Sequence, residues 1–210
     1  MKIVYEKGYT ADKNVDVIIN SANGFLLLGT SGAGELRKKS GNLNLIKSLE
    51  YKRILDKLPE KVSRWYIRAY KKYGWQPSNC QLSCIKLLLN NHQVFEQGTA
   101  ILDTYKLGKK SIIHAIGMSY EIKDHGSERK KATVDTIRES LKNAFKIIKE
   151  NNYKSVAVPL MCVRKEYGIT PAQSFKITID AIKMLEESSV NKVILCFDNA
   201  AAEEYMKGLA

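Results

Sequence analysis

The strongest constraint on the fold is an alternation of short apolar segments with longer amphipathic ones. The short segments predict strands at residues 2–6, 15–19, 99–104, 111–117, 155–163 and 192–197. Between them, apolar residues spaced three and four apart predict helices over 35–39, 42–93 and 134–148, and from a capping box at Thr170–Gln173. Strands that alternate with helices indicate an α/β layered domain with a largely parallel central sheet.

Composition narrows the class of protein. We expect a single domain over the 210 residues, and no apolar run approaches the length of a membrane span. The N-terminus resembles a charged strand rather than a signal peptide. The four cysteines predict reduced thiols and a cytoplasmic location. The net charge of +12 indicates either an anionic partner or a chain kept soluble by lysines, and composition alone leaves both open.

Four segments resemble the macro domain family. Val15–Asn23 is similar to the family's V-D-A-I-V-N-x-A-N strand, and a glycine-rich loop follows it. "GTAILDTYKLGKKSIIHAIG" at 98–117 is similar to the family's G-x-A-x-x-T-x-x-x-L-x-x-K-x-I-I-H-x-V-G segment. "KSVAVPLMCV" and "VILCFDN" resemble its two later strands. The resemblance implies a three-layer αβα sandwich with a mixed, largely parallel central sheet.

The resemblance also implies a ligand, ADP-ribose or an ADP-ribosylated macromolecule, and no cofactor. Such a ligand would lie in a crevice at the carboxyl ends of the strands. Glycines allow close backbone approach to a diphosphate, and asparagine can both donate to and accept from ribose hydroxyls. The residues carried over to ligand binding are Asn20, Asn23, Gly29, Thr30, Ser31, Gly32, Tyr9, Asp12, Arg164, Lys165, Gly168 and Phe197.

Several positions depart from the family's pattern. Ala33 stands where one hydrolytic subgroup carries a catalytic aspartate, which leaves Asn23 as the only catalytic candidate for ADP-ribosyl or O-acyl-ADP-ribose hydrolysis. Tyr9 stands at the position of the adenine-selecting aspartate, with Asp12 close by as a substitute. The second phosphate loop, 161–168, keeps only Gly168. There Arg164 and Lys165 would either bind phosphate by charge or fill the crevice.

Residues 42–93 have no recognised counterpart in the family and are predicted to be a helical insertion. Within them, residues 47–72 hold nine basic and three acidic side chains, with aromatic residues interleaved. This composition fits nucleic-acid binding on a macro scaffold that has lost its nucleotide. It also fits a helical hairpin with aromatics in the core and solvated lysines, the alternative that the helical spacing of Trp65, Ala69 and Tyr73 favours.

No metal site is expected. Cys80 and Cys84 have helical spacing, and no compact fourth ligand follows them and His92 in the sequence. We therefore interpret the two thiols as buried side chains on the apolar face of a helix, and His114 as a hydrogen-bonded strand residue.

Overall fold

The computed structural model describes residues 1–91, 94–123, 126–163, 167–198 and 200–208. The strands are β1 (Lys2–Lys7), β2 (Val17–Asn23), β3 (Ala100–Leu102), β4 (Ser111–Lys123), β5 (Gly126–Lys130), β6 (Ser155–Pro159) and β7 (Lys192–Phe197). The helices are α1 (Ser31–Lys39), α2 (Leu45–Leu55), α3 (Glu60–Tyr73), α4 (Asn79–Asn91), α5 (Val134–Glu150), α6 (Pro171–Ile182) and α7 (Ala200–Lys207).

The sheet is mixed and mostly parallel, as predicted. Its strand order is β1-β7-β6-β2-β4-β3, and β5 pairs with β4 beyond the edge of this path. The first five strands of that order run parallel, whereas β3 and β5 are both antiparallel to β4. The carboxyl ends of β1, β7, β6 and β2 therefore meet at one edge of the sheet.

Helices cover both faces of the sheet, which gives three layers. Along β2, Ile18 packs into a core with α1–α4, while Val17 and Ile19 pack into a second core with α5 and α6. The period of two is what a strand buried on both faces requires. None of the helices in the described part of the chain combines the length and apolarity that crossing a bilayer needs.

Several strand boundaries differ from the sequence expectation, and β3 and β6 are shorter than the predicted 99–104 and 155–163. β2 continues through the polar residues to Asn23, because its backbone pairs in parallel register with β4 as far as Met118. β4 continues to Lys123, six residues past the predicted end at 117, and forms a two-stranded ribbon with β5. Period-2 burial is lost in this ribbon, so the apolar pattern gives no signal for it.

Candidate functional site

A crevice of about 330 Å³ opens at the carboxyl ends of the parallel strands. Gly8, Asn20–Asn23, Pro159 and Cys196 line it, one group from each of the four neighbouring strand ends. The volume lies at the lower end of the range for small-molecule sites, and this edge of an open α/β sheet is where such sites form.

The amide of Asn23 shapes the loop that leaves β2. Its Oδ1 accepts from the backbone N–H of Phe25 at 3.1 Å and, at a longer 3.4 Å, from that of Leu27. Its Nδ2 donates to the carbonyl of Leu27 at 3.0 Å. Because Nδ2 carries two hydrogens, the amide keeps one donor for a ligand. Asn23 is thus first a loop-forming residue, a role that the resemblance does not indicate.

Asn20, on β2, lines the floor of the crevice. Its side chain is buried, and Nδ2 donates to Nδ1 of the buried His114 at 3.0 Å on the adjacent strand β4. The predicted pair of asparagines is therefore brought to one crevice, with Asn20 in its floor and Asn23 at the start of its first loop.

The glycine-rich loop and the first turn of α1 form one side of the crevice. Gly29, Thr30, Ser31 and Gly32 all line it, as does Ala33. Thr30 is the N-cap residue of α1, so the backbone N–H groups of the first helical turn lie at the crevice. Close packing at this turn requires glycine, since a Cβ on Gly34 would lie 2.7 Å from the carbonyl oxygen of Gly29. This arrangement suits an anion.

Two buried side chains of the predicted insertion, neither of them given a role by the sequence analysis, hold the loop at 25–29. Tyr66 on α3 donates its hydroxyl hydrogen to the carbonyl of Phe25. Gln81 on α4 accepts from the N–H of Leu28 at 2.8 Å and donates to the carbonyl of Leu26 at 3.1 Å. Helices of the predicted insertion therefore support the loop that borders the crevice.

Arg37 on α1 supports the same loop from the other side. Its Nη1 donates to the carbonyls of Leu28 at 2.6 Å and Gly29 at 2.8 Å, and its guanidinium lies 4.0 Å from the centre of the Trp75 ring. Burial lowers the pKa of Arg37 from its usual value, although an arginine stays charged in proteins. The sequence "ELRKKSG" offers no signal that separates Arg37 from the solvated Lys38 and Lys39.

An aromatic wall forms another border of the crevice. It consists of Trp65 and Tyr73 on α3, Trp75 after it, and Tyr120 on β4. The Phe25 ring stacks on Tyr120 with ring centres 4.6 Å apart, and Trp65 lies 4.7 Å from Phe25. The aromatic residues of the insertion are thus built into the crevice and the core.

The basic side chains of 47–72 point to solvent. All nine are exposed, while Val62 and Tyr66 on the opposite face of α3 are buried. This burial pattern matches the alternative of a helical hairpin whose aromatics pack inward and whose lysines are solvated.

In the described part of the second loop, Met161 and Cys162 take different positions relative to the crevice. Met161 is fully buried in the core with α5 and α6, so it does not enter the crevice. Cys162 lines the crevice with a φ of +57°, a left-handed conformation that favours glycine. Burial raises the pKa of Cys162 to about 11, although its contact with Ser21 opposes the rise.

The other residues predicted to bind the ligand from this loop are Arg164, Lys165 and Gly168. Arg164 and Lys165 lie outside the described residues. Gly168 has a φ of +86° and does not line the crevice, whereas the neighbouring Tyr167 does. Gly168 therefore serves the backbone turn rather than direct contact with a ligand.

At the β1–β7 end, Tyr9 lines the crevice and two of the predicted residues do not. Asp12 is exposed and pairs with Lys39 at 2.7 Å, and Phe197 is half-buried against the core with α5 and α6. Asp198, directly after β7, lines the crevice instead. The Gly8 N–H donates to the Phe197 carbonyl at 2.9 Å, which places Tyr9 and Asp198 at adjacent strand ends.

Comparison with known proteins identifies the fold. The macro domain family model matches residues 72–175. This range contains α4, counted above with the insertion, and it leaves out the strand and glycine loop at 15–41. A comparison with curated protein sequences finds no significant match.

Solved structures match over nearly the whole chain. The macrodomain of Mycobacterium tuberculosis DarG is 15% identical, with a TM-score of 0.59 and coverage of 95% of this chain and 99% of that one. A Trypanosoma brucei macrodomain in complex with ADP-ribose is 15% identical, with a TM-score of 0.62 and coverage of 99% and 69%. An Oceanobacillus iheyensis macrodomain with ADP is 21% identical, with a TM-score of 0.59 and coverage of 98% and 90%.

Proposed function

This chain is a macro domain, by its fold and by its match to the family model, and from that premise we propose that its crevice binds ADP-ribose or a related nucleotide diphosphate. The observation that carries the proposal is the position of the crevice. It lies at the carboxyl ends of β1, β7, β6 and β2, and the N-terminus of α1 and the glycine loop border it.

The two sides of the crevice suit the two kinds of group in such a ligand. Residues 29 to 32 line the crevice, and their backbone N–H groups, with the Thr30 and Ser31 hydroxyls, are the groups that would bind a diphosphate there. The aromatic wall and the Asn23 amide border the same space, so a ribose would have a donor and a flat apolar surface beside it. The solved T. brucei and O. iheyensis macrodomains hold ADP-ribose and ADP respectively, which supports a ligand of this class.

We assign the adenine end to Tyr9 and Asp198. A tyrosine ring can stack on a base, but it does not supply the carboxylate that accepts from an exocyclic amino group. Asp198 is the one carboxylate among the described residues that line the crevice, and it lies at the strand end next to Tyr9. It therefore takes the role that the sequence comparison gave to Asp12.

Hydrolysis is not part of the proposal. Ala33 lines the crevice and brings no carboxylate to the position where one hydrolytic subgroup has its acid. A nucleic-acid partner has no support among the comparisons, and the basic residues of 47–72 lie on the solvated face of their helices. Release of ADP-ribose from a modified protein is nevertheless a direct assay for hydrolysis.

Titration calorimetry with ADP-ribose tests binding. We expect saturable heat for the wild-type chain, and we expect weaker binding of AMP, which lacks the second phosphate and the distal ribose. Folded protein that gives no heat at about 1 mM ligand, equivalent to a binding free energy weaker than about −4 kcal/mol, would contradict the proposal.

A second titration tests the adenine assignment. Inosine diphosphate ribose has a carbonyl in place of the adenine amino group, so it should bind the wild type about tenfold more weakly, consistent with one charged hydrogen bond. Asp198→Asn should narrow that difference, because its amide can donate to the carbonyl. Asp12→Asn, on the exposed residue paired with Lys39, is the matched control and should leave the preference unchanged.

A further inference from the structure

Four potential metal ligands meet in the buried space between α4 and the sheet. Cys80 and Cys84 lie one turn apart on α4, Asp103 follows β3, and His114 is on β4. None of the four is more than 4% exposed. One ligand atom from each, two Sγ atoms, one carboxylate oxygen and one ring nitrogen, lies within 4.8 Å of all the others.

The spacing of these atoms is close to that of a tetrahedral site. Ligands about 2.0–2.3 Å from a zinc ion are about 3.3–3.8 Å from one another. Here Cys84 Sγ is 3.6 Å from His114 Nε2, and Cys80 Sγ is 3.7 Å from Asp103 Oδ2. The separation of His114 Nε2 and Asp103 Oδ2 is 2.9 Å, so these two atoms would move apart by about half an ångström to admit an ion.

Neighbouring groups orient the carboxylate and the imidazole. Asp103 Oδ1 accepts from the Ser83 hydroxyl and, at 2.9 Å, from the Tyr105 N–H, which directs Oδ2 to the other three ligand atoms. His114 Nδ1 lies 3.0 Å from the Asn20 amide. A 180° turn of that amide presents its oxygen to an Nδ1–H, the arrangement that accompanies metal binding through Nε2.

We propose that Cys80, Cys84, Asp103 and His114 bind one structural zinc ion. Two thiolates and one carboxylate with a neutral imidazole form a donor set that favours zinc over harder cations. All four positions are filled by protein side chains, so no position remains for water, and the ion would be structural rather than catalytic. Sequence spacing hides the set, since Asp103 is 23 residues from Cys80 and His114 is 30 from Cys84.

An ion here would join the helical region to the sheet beneath the crevice. Cys80 and Cys84 belong to the same helix as Gln81, which holds the loop at 26–28. His114 touches Asn20 in the crevice floor. Zinc would thus fix α4 against β3 and β4, and through α4 it would fix one border of the crevice.

Zinc content measured by mass spectrometry on untagged, gel-filtered protein tests the proposal. Wild type purified from zinc-supplemented cells should carry about one ion per chain. The zinc content of Cys80→Ala and of Cys84→Ala should each be about tenfold lower than that of the wild type, or lower still. Cys196→Ala removes a buried thiol outside the cluster and should retain the full content.

Cobalt substitution keeps the test decisive if either variant fails to fold. Wild type refolded with Co²⁺ should show thiolate-to-cobalt bands in the near ultraviolet and intense tetrahedral bands in the visible. Folded wild type with neither zinc nor these bands, or zinc content equal in wild type and Cys84→Ala, would overturn the proposal. Both measurements are made without nucleotide, so their outcome is independent of ADP-ribose binding.

Discussion

Replacing Gln81 by methionine tests how strongly α4 supports the crevice loop. The two side chains have nearly the same volume, so the change removes polar atoms without opening a cavity. In the wild type Gln81 is fully buried, and it satisfies the Leu28 N–H and the Leu26 carbonyl. Tyr66 keeps its bond to the Phe25 carbonyl in the variant, so two backbone groups lose their partner.

Each buried backbone group left without a partner costs about 1–3 kcal/mol. The sum is about 2–6 kcal/mol, and relaxation of the loop toward water brings the expected loss to about 2–4 kcal/mol. For a chain of this size that loss corresponds to a fall in Tm of about 4–16 °C. It is a large part of the free energy of unfolding of an ordinary domain.

Urea unfolding followed by tryptophan fluorescence measures the total loss, and amide hydrogen exchange at Leu28 measures the local one. Gln76→Met, at an exposed glutamine that precedes α4, is the matched control and should unfold like the wild type within about 0.5 kcal/mol. A Gln81→Met variant that also stays within that range, with Leu28 still protected, would refute the reasoning.

Three further predictions concern the crevice and its surroundings. Trp65→Ala should lower the free energy of unfolding by about 2–3 kcal/mol and weaken ADP-ribose binding, because Trp65 lines the crevice and packs on Phe25. Ile67→Ala, at a 54% exposed site on the same helix, is the control and should change neither quantity. Gly24→Ala should prevent stable folding, since its Cβ would overlap the Ser119 hydroxyl and the Phe95 carbonyl, while Gly74→Ala, where the space is open, should cost only about 1 kcal/mol for its positive φ. Burial raises the pKa of Cys162 to about 11 from a usual 9.0, so the unfolded chain loses this proton first, and the free energy of unfolding falls by up to about 3 kcal/mol as the pH rises from 9 to 11. In urea titrations at each pH, the free energy of unfolding of Cys162→Ala should fall less over the same interval than that of the wild type. Equal pH dependence of the two proteins would contradict this.

Most of the fold could be predicted because burial on both faces of the sheet leaves a strong apolar signal. The segments at 111–117 and 192–197 consist mostly of apolar residues, and the structure has strands at both. The capping box at Thr170 marks the start of α6 for a local reason, since Thr170 and Gln173 bond each other's backbone N–H groups. Such signals depend on neighbours in sequence.

The side chains that hold the crevice loop could not be predicted, because their contacts join residues that are far apart in the sequence. Gln81 lies in an ordinary helical pattern, and its role appears only when α4 packs beside residues more than fifty positions earlier. The sequence of the second loop does not show where the side chain of Met161 lies, and only the path of the backbone turns it into the core. In each case the sequence shows the residue type, but it does not predict the direction of the side chain.

The helical region from 42 to 91 is structurally inseparable from the crevice. Its side chains Tyr66 and Gln81 bond the loop after β2, and Trp65 and Tyr73 form part of the aromatic wall of the crevice. A module that merely carried positive charge would not need buried polar contacts to the crevice loop, since charge acts from the exposed face. The exposed lysines and arginines of this region therefore can vary at little cost to the crevice, whereas its inward face cannot. Selection for nucleotide binding would act on Tyr66, Gln81 and Trp65 even though the helices that carry them lie outside the strand ends that form the floor.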